Sequence, residues 1–264
     1  MPELLEVEAY RRLAEEALRR PITAVGTPDR WYLKRGLKAA DLVVLVGGQL
    51  VAARRRGKLL LLDTQMPEGG AGPVLGLRFG MTGRLVVDGR AGVGQLGYSS
   101  DHLLSKYERF WVAFANGGRL VLSDARRLGG VELDPDESRL GYDAAGVTEG
   151  ELARALFGSR SPLKARVMDQ PHLAGLGNLS ADEVLWRAGL SPFRPAGSLT
   201  PAETRRLHHH LRAALTDMAE RGGSHTGDLM PERVAGGKCP RDGHLLRHDK
   251  VGGRTTWWCP AHQH

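Results

Sequence analysis

The spacing of apolar residues changes period twice along this 264-residue chain, and that limits what it can fold into. Over residues 3–20, Val7, Tyr10, Ala14, Ala17 and Leu18 recur at helical spacing between charges, and Pro21 ends the run. From 22 to 133 the pattern becomes short β-like runs, at 42–46, 59–62, 74–79, 84–87, 111–114 and 119–122. Glycines and polar turns separate them, with Asn116-Gly117 a hairpin signal. A twisted antiparallel sandwich or barrel is expected. Residues 134–148, rich in Asp, Pro and Gly, read as a linker. Helical patterning then returns. Thr148 with Glu151, and Thr200-Pro201 with Glu203, read as capping boxes. The second opens a helix with Leu207, Leu211, Leu215 and Met218 on one stripe, stopped by Gly222-Gly223. His208-His209-His210 lie on this helix but point in different directions, so they read as a mostly solvated face.

From Gly236 the chain is too short to build its own core and is rich in Gly, Cys and His. Both cysteines lie here. Cys239 with His244, and Cys259 with His262, form two knuckles joined by a hairpin that turns at Val251-Gly252-Gly253. Two thiolates and two imidazoles suit tetrahedral zinc with no open position, so one structural zinc per chain is expected. Asp242, His248 and His264 are alternative ligands. A single disulfide is the weaker reading for a reducing cytosol.

Lys and Arg number 37 against 30 Asp and Glu, a net charge of +7 that favours a polyanionic partner, nucleic acid above all. No apolar run approaches the roughly 20 residues needed to span a bilayer. Glu3, Glu6 and Glu8 break up any signal-peptide pattern at the N-terminus. The expected protein is cytoplasmic (nucleoid-associated if bacterial), free of the membrane and, as the simpler case, monomeric.

Read alone, Met1-Pro2-Glu3-Leu4-Leu5-Glu6-Val7-Glu8 is a helix start with acidic residues facing the dipole. Read with other segments, it resembles the opening signature of the Fpg/Nei (formamidopyrimidine-DNA glycosylase and endonuclease VIII) family. Arg55-Arg56-Gly57-Lys58-Leu59-Leu60 resembles the family's basic strand motif. Met81-Thr82-Gly83 and Asp124-Ala125-Arg126-Arg127-Leu128-Gly129 resemble its two wedge loops. Asp169 to Asn178, continued by Ala181-Asp182-Glu183-Val184, resembles its helix-two-turn-helix element, and Gly252-Gly253-Arg254-Thr255-Thr256 its zinc hairpin. The matches keep the family's order over nearly the whole chain.

The resemblance implies an α+β fold: an N-terminal helix plus antiparallel β-sandwich domain over 1–133, the linker, a helix-two-turn-helix domain over 149–235 and a zinc finger over 236–264. It implies a bifunctional DNA glycosylase/abasic-site lyase of base-excision repair, acting on double-stranded DNA that contains damaged bases or abasic sites. The nucleophile is then the Pro2 amine, exposed once Met1 is removed; its ordinary pKa of roughly 7.7–8.0 leaves a useful fraction unprotonated. Glu3 is the implied general acid/base, and Glu6, one turn on, supports the nucleophile. Lys58 contacts the phosphate beside the lesion. Met81, Arg126 and Leu128 plug the hole left by the flipped nucleotide. The glycine-flanked turn before Asn178 offers backbone N–H groups to a phosphate, with the Asn178 side chain beside them. Arg254, at the hairpin tip, holds the phosphates of the lesion nucleotide.

The chain departs from the family pattern in several places. Leu5 and Ala125 replace prolines, Leu128 replaces a phenylalanine, and His244 and His262 stand in for cysteines, the former displaced by two residues. The stretch from Gly223 to Cys239 is shorter than in typical enzymes that recognise oxidised guanine. Base preference therefore stays open among 8-oxoguanine, ring-opened purines, oxidised pyrimidines and bulkier lesions. A catalytically inactive damaged-DNA binder of the same fold is the alternative, and Pro2, Glu3 and Lys58 argue against it. A zinc-containing RNA binder is disfavoured by the two wedge loops.

Overall fold

The computed structural model describes residues 2–93 and 105–264. The chain divides into two compact units, Pro2 with Glu6–Glu137 and Glu3–Leu5 with Ser138–His264.

The first unit begins with most of helix α1 (Leu4–Ala14). Its expected extent to residue 20 is cut short by a 3₁₀ turn, Glu15–Ala17, and by Arg19 at φ +58°. Two antiparallel sheets follow. One holds β2 (Gln49–Arg56), β3 (Leu59–Gln65), β4 (Leu75–Arg78) and β9 (Gly130–Leu133) in that order. The other runs β1 (Ile22–Gly26), β7 (Glu108–Phe114), β8 (Arg119–Ser123), β5 (Arg84–Val87) and β6 (Arg90–Ala91). Phe110, Val112 and Phe114 alternate inward on β7, as do Leu120 and Leu122 on β8. They share one core with Leu60, Leu62, Leu75 and Leu77 of the other sheet and with Val7 and Tyr10 of α1, which makes the unit a sandwich. Asn116-Gly117 turns the β7–β8 hairpin, as expected.

One expected strand is absent. Residues 42–46 fall largely in a 3₁₀ helix, Ala39–Leu45, whose start is fixed by the Asp41 carboxylate accepting the Lys38 N–H at 2.8 Å. Leu42 and Leu45 are buried at the three-residue spacing this helix requires, while Val43 is 69% exposed.

In the second unit, the expected linker is partly ordered structure. β10 (Tyr142–Asp143) pairs in parallel with β11 (Leu173–Ala174), and Ala144 and Val147 are buried in the helical core. That core also takes Leu152 and Leu156 of α2 (Glu149–Leu156), Leu163 and Val167 of α3 (Leu163–Val167), and Val184 and Leu185 of α4 (Asn178–Ala188). The stripe of Leu207, Leu211, Leu215 and Met218 on α5 (Pro201–Glu220) completes it. Both capping boxes form. In the triple histidine, His208 Nε2 sits 2.8 Å from the Val147 carbonyl and only His209 is fully exposed. The tail is the hairpin β12 (Arg247–Val251) and β13 (Arg254–Trp258), turning at Gly252-Gly253. Among the described residues, no helix is long and apolar enough to cross a membrane.

Candidate active site and metal centre

In the first unit, Pro2 and Glu6 are buried at the head of the chain. Glu6 lies close enough to Tyr10 to add to the upward push that burial gives the Tyr10 phenol. Lys58 is half-buried in the two-residue Gly57-Lys58 turn between β2 and β3, where Arg56 pairs with Leu59. The basic run before it is largely neutralised. Arg54 pairs with Asp63 at 2.9 Å and Glu137 at 2.6 Å, and Arg55 with Glu8 at 3.2 Å.

The loops at 81–83 and 124–129 are built around Asp124, a fully buried carboxylate. It accepts the Thr82 hydroxyl at 2.5 Å, the Arg126 N–H at 3.1 Å, the Gly129 N–H at 2.9 Å and the Tyr32 hydroxyl at 3.2 Å. Burial first, and Asp124 second, raise the Tyr32 phenol above its ordinary range. One side chain thus fixes both loops, each to the other. At Gly80 (φ +57°) an added Cβ would lie 2.4 Å from the Leu128 carbonyl carbon, so only glycine lets the loops approach this closely. Met81 is left half-buried, and Arg126 and Leu128 are exposed, Leu128 by 53%.

In the second unit, Glu3 is 1% exposed. Its carboxylate accepts N–H groups of Gly177 at 3.0 Å, Leu179 at 2.9 Å and Ser180 at 3.1 Å, together with the Ser180 hydroxyl. This corrects the expectation for the glycine-flanked turn. The N–H groups at the start of α4 hold Glu3, not a phosphate, because Gly177 lacks a capping side chain and a buried carboxylate fills the role.

The Asn178 side chain is oriented by a residue that carries no motif. Lys164, fully buried, donates to Asn178 Oδ1 at 2.7 Å, the Thr256 hydroxyl at 2.8 Å and the Thr255 carbonyl at 3.1 Å, and pairs with Asp182 at 2.6 Å. An ammonium only donates, so the Asn178 oxygen faces it and the amide N–H₂ points away. Asp182 also accepts from Arg233 and from the Trp257 N–H. Burial pulls the Lys164 ammonium below the ordinary lysine range, against the pull of Asp182. The network ties the start of α4 to β13, whose first residue, Arg254, is exposed.

In the tail, Cys239, Cys259 and His262 come together as expected, and Asp242 joins them; the four donor atoms all lie within 4.8 Å of one another. His244 does not join the group. Its side chain is 64% exposed and faces the outer oxygen of Asp242. Two buried thiols, an imidazole and a carboxylate are a donor set that fits a zinc ion.

Comparison with known proteins defines the class. Residues 1–131 match the model of the formamidopyrimidine-DNA glycosylase N-terminal domain and residues 140–229 that of its H2TH domain. These are parts of DNA glycosylases of base-excision repair, which also cut as abasic-site lyases. The formamidopyrimidine-DNA glycosylase of Paracoccus denitrificans is 34% identical over 270 residues, covering 99% of this chain and 91% of the relative. The Arabidopsis thaliana enzyme of the same name is 32% identical, covering 100% and 71%. Lactococcus lactis Fpg in complex with DNA containing an N7-benzyl-Fapy-dG superposes with a TM-score of 0.81 at 25% identity over 99% of both chains. The same protein with abasic-site DNA gives 0.80 at 26% identity, again over 99% of both. The chain belongs to the formamidopyrimidine-DNA glycosylase family.

Proposed function

We propose that this chain removes an oxidised or ring-opened base from duplex DNA and then cuts the strand, with the Pro2 amine as nucleophile. Attack of the amine on C1′ breaks the glycosidic bond; the base takes a proton from solvent as it leaves, and the amine proton passes to the Glu3 carboxylate. Opening of the sugar at the ring oxygen, protonated by Glu3, gives an iminium joining Pro2 to C1′. The iminium acidifies C2′. Loss of that proton expels the 3′ phosphate, a second elimination expels the 5′ phosphate, and water releases Pro2. Lys58 and Asn178 hold phosphates, Arg254 those of the lesion nucleotide, and Glu6 supports the nucleophile. Met81, Arg126 and Leu128 fill the vacated stack.

The observation that carries this reading is the anchoring of Glu3. A carboxylate placed next to Pro2 in the chain is held in one position by three backbone N–H groups and a hydroxyl. DNA complexes among the structural relatives support duplex DNA as the partner. A zinc ion bound by the tail would supply a structural link and no chemistry, since four protein donors leave no position open. It would brace the hairpin that carries Arg254.

Borohydride reduction of the iminium tests the nucleophile. On duplexes with an abasic site or a panel of oxidised bases, the native chain should form an adduct that maps to Pro2. Pro2→Gly should lose most trapping and cleavage while keeping DNA affinity. Tight binding with no adduct on any substrate would favour the inactive binder instead.

A further inference from the structure

The tail contains two turns of the same design. Cys239-Pro240-Arg241-Asp242-Gly243 and Cys259-Pro260-Ala261-His262-Gln263 each place a second donor three residues after a cysteine. The backbone repeats the match: the Gly243 N–H donates to the Cys239 carbonyl at 2.9 Å, and the Gln263 N–H to the Cys259 carbonyl at 3.2 Å. Asp242 and His262 therefore hold equivalent positions, and His244 lies outside the turn.

The side chains follow. Cys239 Sγ is 3.7 Å from His262 Nδ1, and Cys259 Sγ is 3.3 Å from Asp242 Oδ2. Zinc bonds of about 2.3 Å to sulfur and about 2.0–2.1 Å to nitrogen or oxygen separate tetrahedral donors by roughly 3.5 Å. The outer partners agree with this assignment. His262 Nε2 lies 3.2 Å from the Trp186 carbonyl, a partner for the ring proton once Nδ1, which sits 2.8 Å from Asp242 Oδ2, binds a metal. The Trp186 indole N–H donates to Cys239 Sγ at 3.3 Å. On Asp242, one oxygen faces the group. The other accepts the His244 N–H at 2.9 Å and sits 3.3 Å from His244 Nδ1.

We propose that the metal is held by Cys239, Asp242, Cys259 and His262, and that His244 is not among its ligands. This rests on the zinc reading above and fixes its ligands. With one carboxylate and two thiolates, the site is less thiophilic than an all-sulfur finger and suits Zn²⁺ over softer ions.

The full chain, stripped by chelator and reloaded with Co²⁺, tests the assignment through the thiolate-to-cobalt charge-transfer band, whose strength follows the number of Co–S bonds. Asp242→Cys adds a third thiolate and should raise the band about 1.5-fold. His244→Cys should leave it unchanged. His244→Ala should keep zinc at a chelator concentration that strips Asp242→Ala. A rise with His244→Cys, or none with Asp242→Cys, overturns the ligand set and leaves the zinc reading intact. A native chain that takes up neither Co²⁺ nor Zn²⁺ removes both.

Discussion

At the scale of single residues, space around Glu3 is the tightest constraint on the chemistry. A Cβ at Gly177 would lie 2.3 Å from the Glu3 carboxyl carbon, although φ there suits any residue. Gly177→Ala should therefore displace the carboxylate without straining the backbone. Base excision in single-turnover assays should fall by about 10²-fold, the lower range for a general acid/base, with a lowered melting temperature from the buried hydrogen bonds lost around Glu3. An unchanged rate would detach Glu3 from the reaction. Pro2, Glu3 and Lys58 stand out in the sequence because they sit in contiguous motifs. Asp124 and Lys164 were not, because their importance lies in partners 42 and 92 residues away in the chain. The equivalence of Asp242 and His262 was available as equal spacing, but imidazole is the more familiar zinc donor and drew the reading to His244.

At the scale of elements, local chemistry read well where a helix start is a short-range matter. The Thr200–Glu203 box at the head of α5 also engages Arg194, whose guanidinium meets the Glu203 carboxylate at 2.5 and 3.0 Å. Arg194 first, and the Thr200 N–H next, lower the Glu203 pKa from 4.5 to about 2. A depressed carboxylate stabilises the fold above its unfolded pKa, and the contribution is lost as pH falls toward the folded one. Thermal stability should thus decline between pH 4.5 and about 2. Glu203→Gln should be less stable than the native chain at neutral pH and converge with it at the acid end. Parallel melting curves across that window would contradict the assignment. Elements that depend on remote partners read poorly. The pairing of Tyr142 with Leu173 leaves no mark in the local pattern of residues 134–148, and Val43-Val44 mimic a strand while lying in a 3₁₀ helix.

At the scale of the whole molecule, the net charge of +7 pointed correctly to the class of partner, but not to which cations would meet it. Arg54 and Arg55 pair with the carboxylates of Asp63, Glu137 and Glu8, and the phosphate contact proposed above falls to Lys58. DNA affinity should fall linearly with salt on a log–log plot, and Lys58→Gln should reduce the slope by about 0.9. Anisotropy titrations from about 50 to 200 mM salt would read this, and an unaltered slope would remove Lys58 from the phosphate contacts.

The allocation of Glu3 to the second unit has a consequence for how such a protein can be taken apart or recombined. A gene cut after codon 137 gives two fragments that look like complete modules. The first would carry away Glu3 and leave its hydrogen-bond donors, at Gly177, Leu179 and Ser180, on the other. Exchanging C-terminal halves between relatives would then replace the mooring of Glu3, so the two halves are expected to be inherited together.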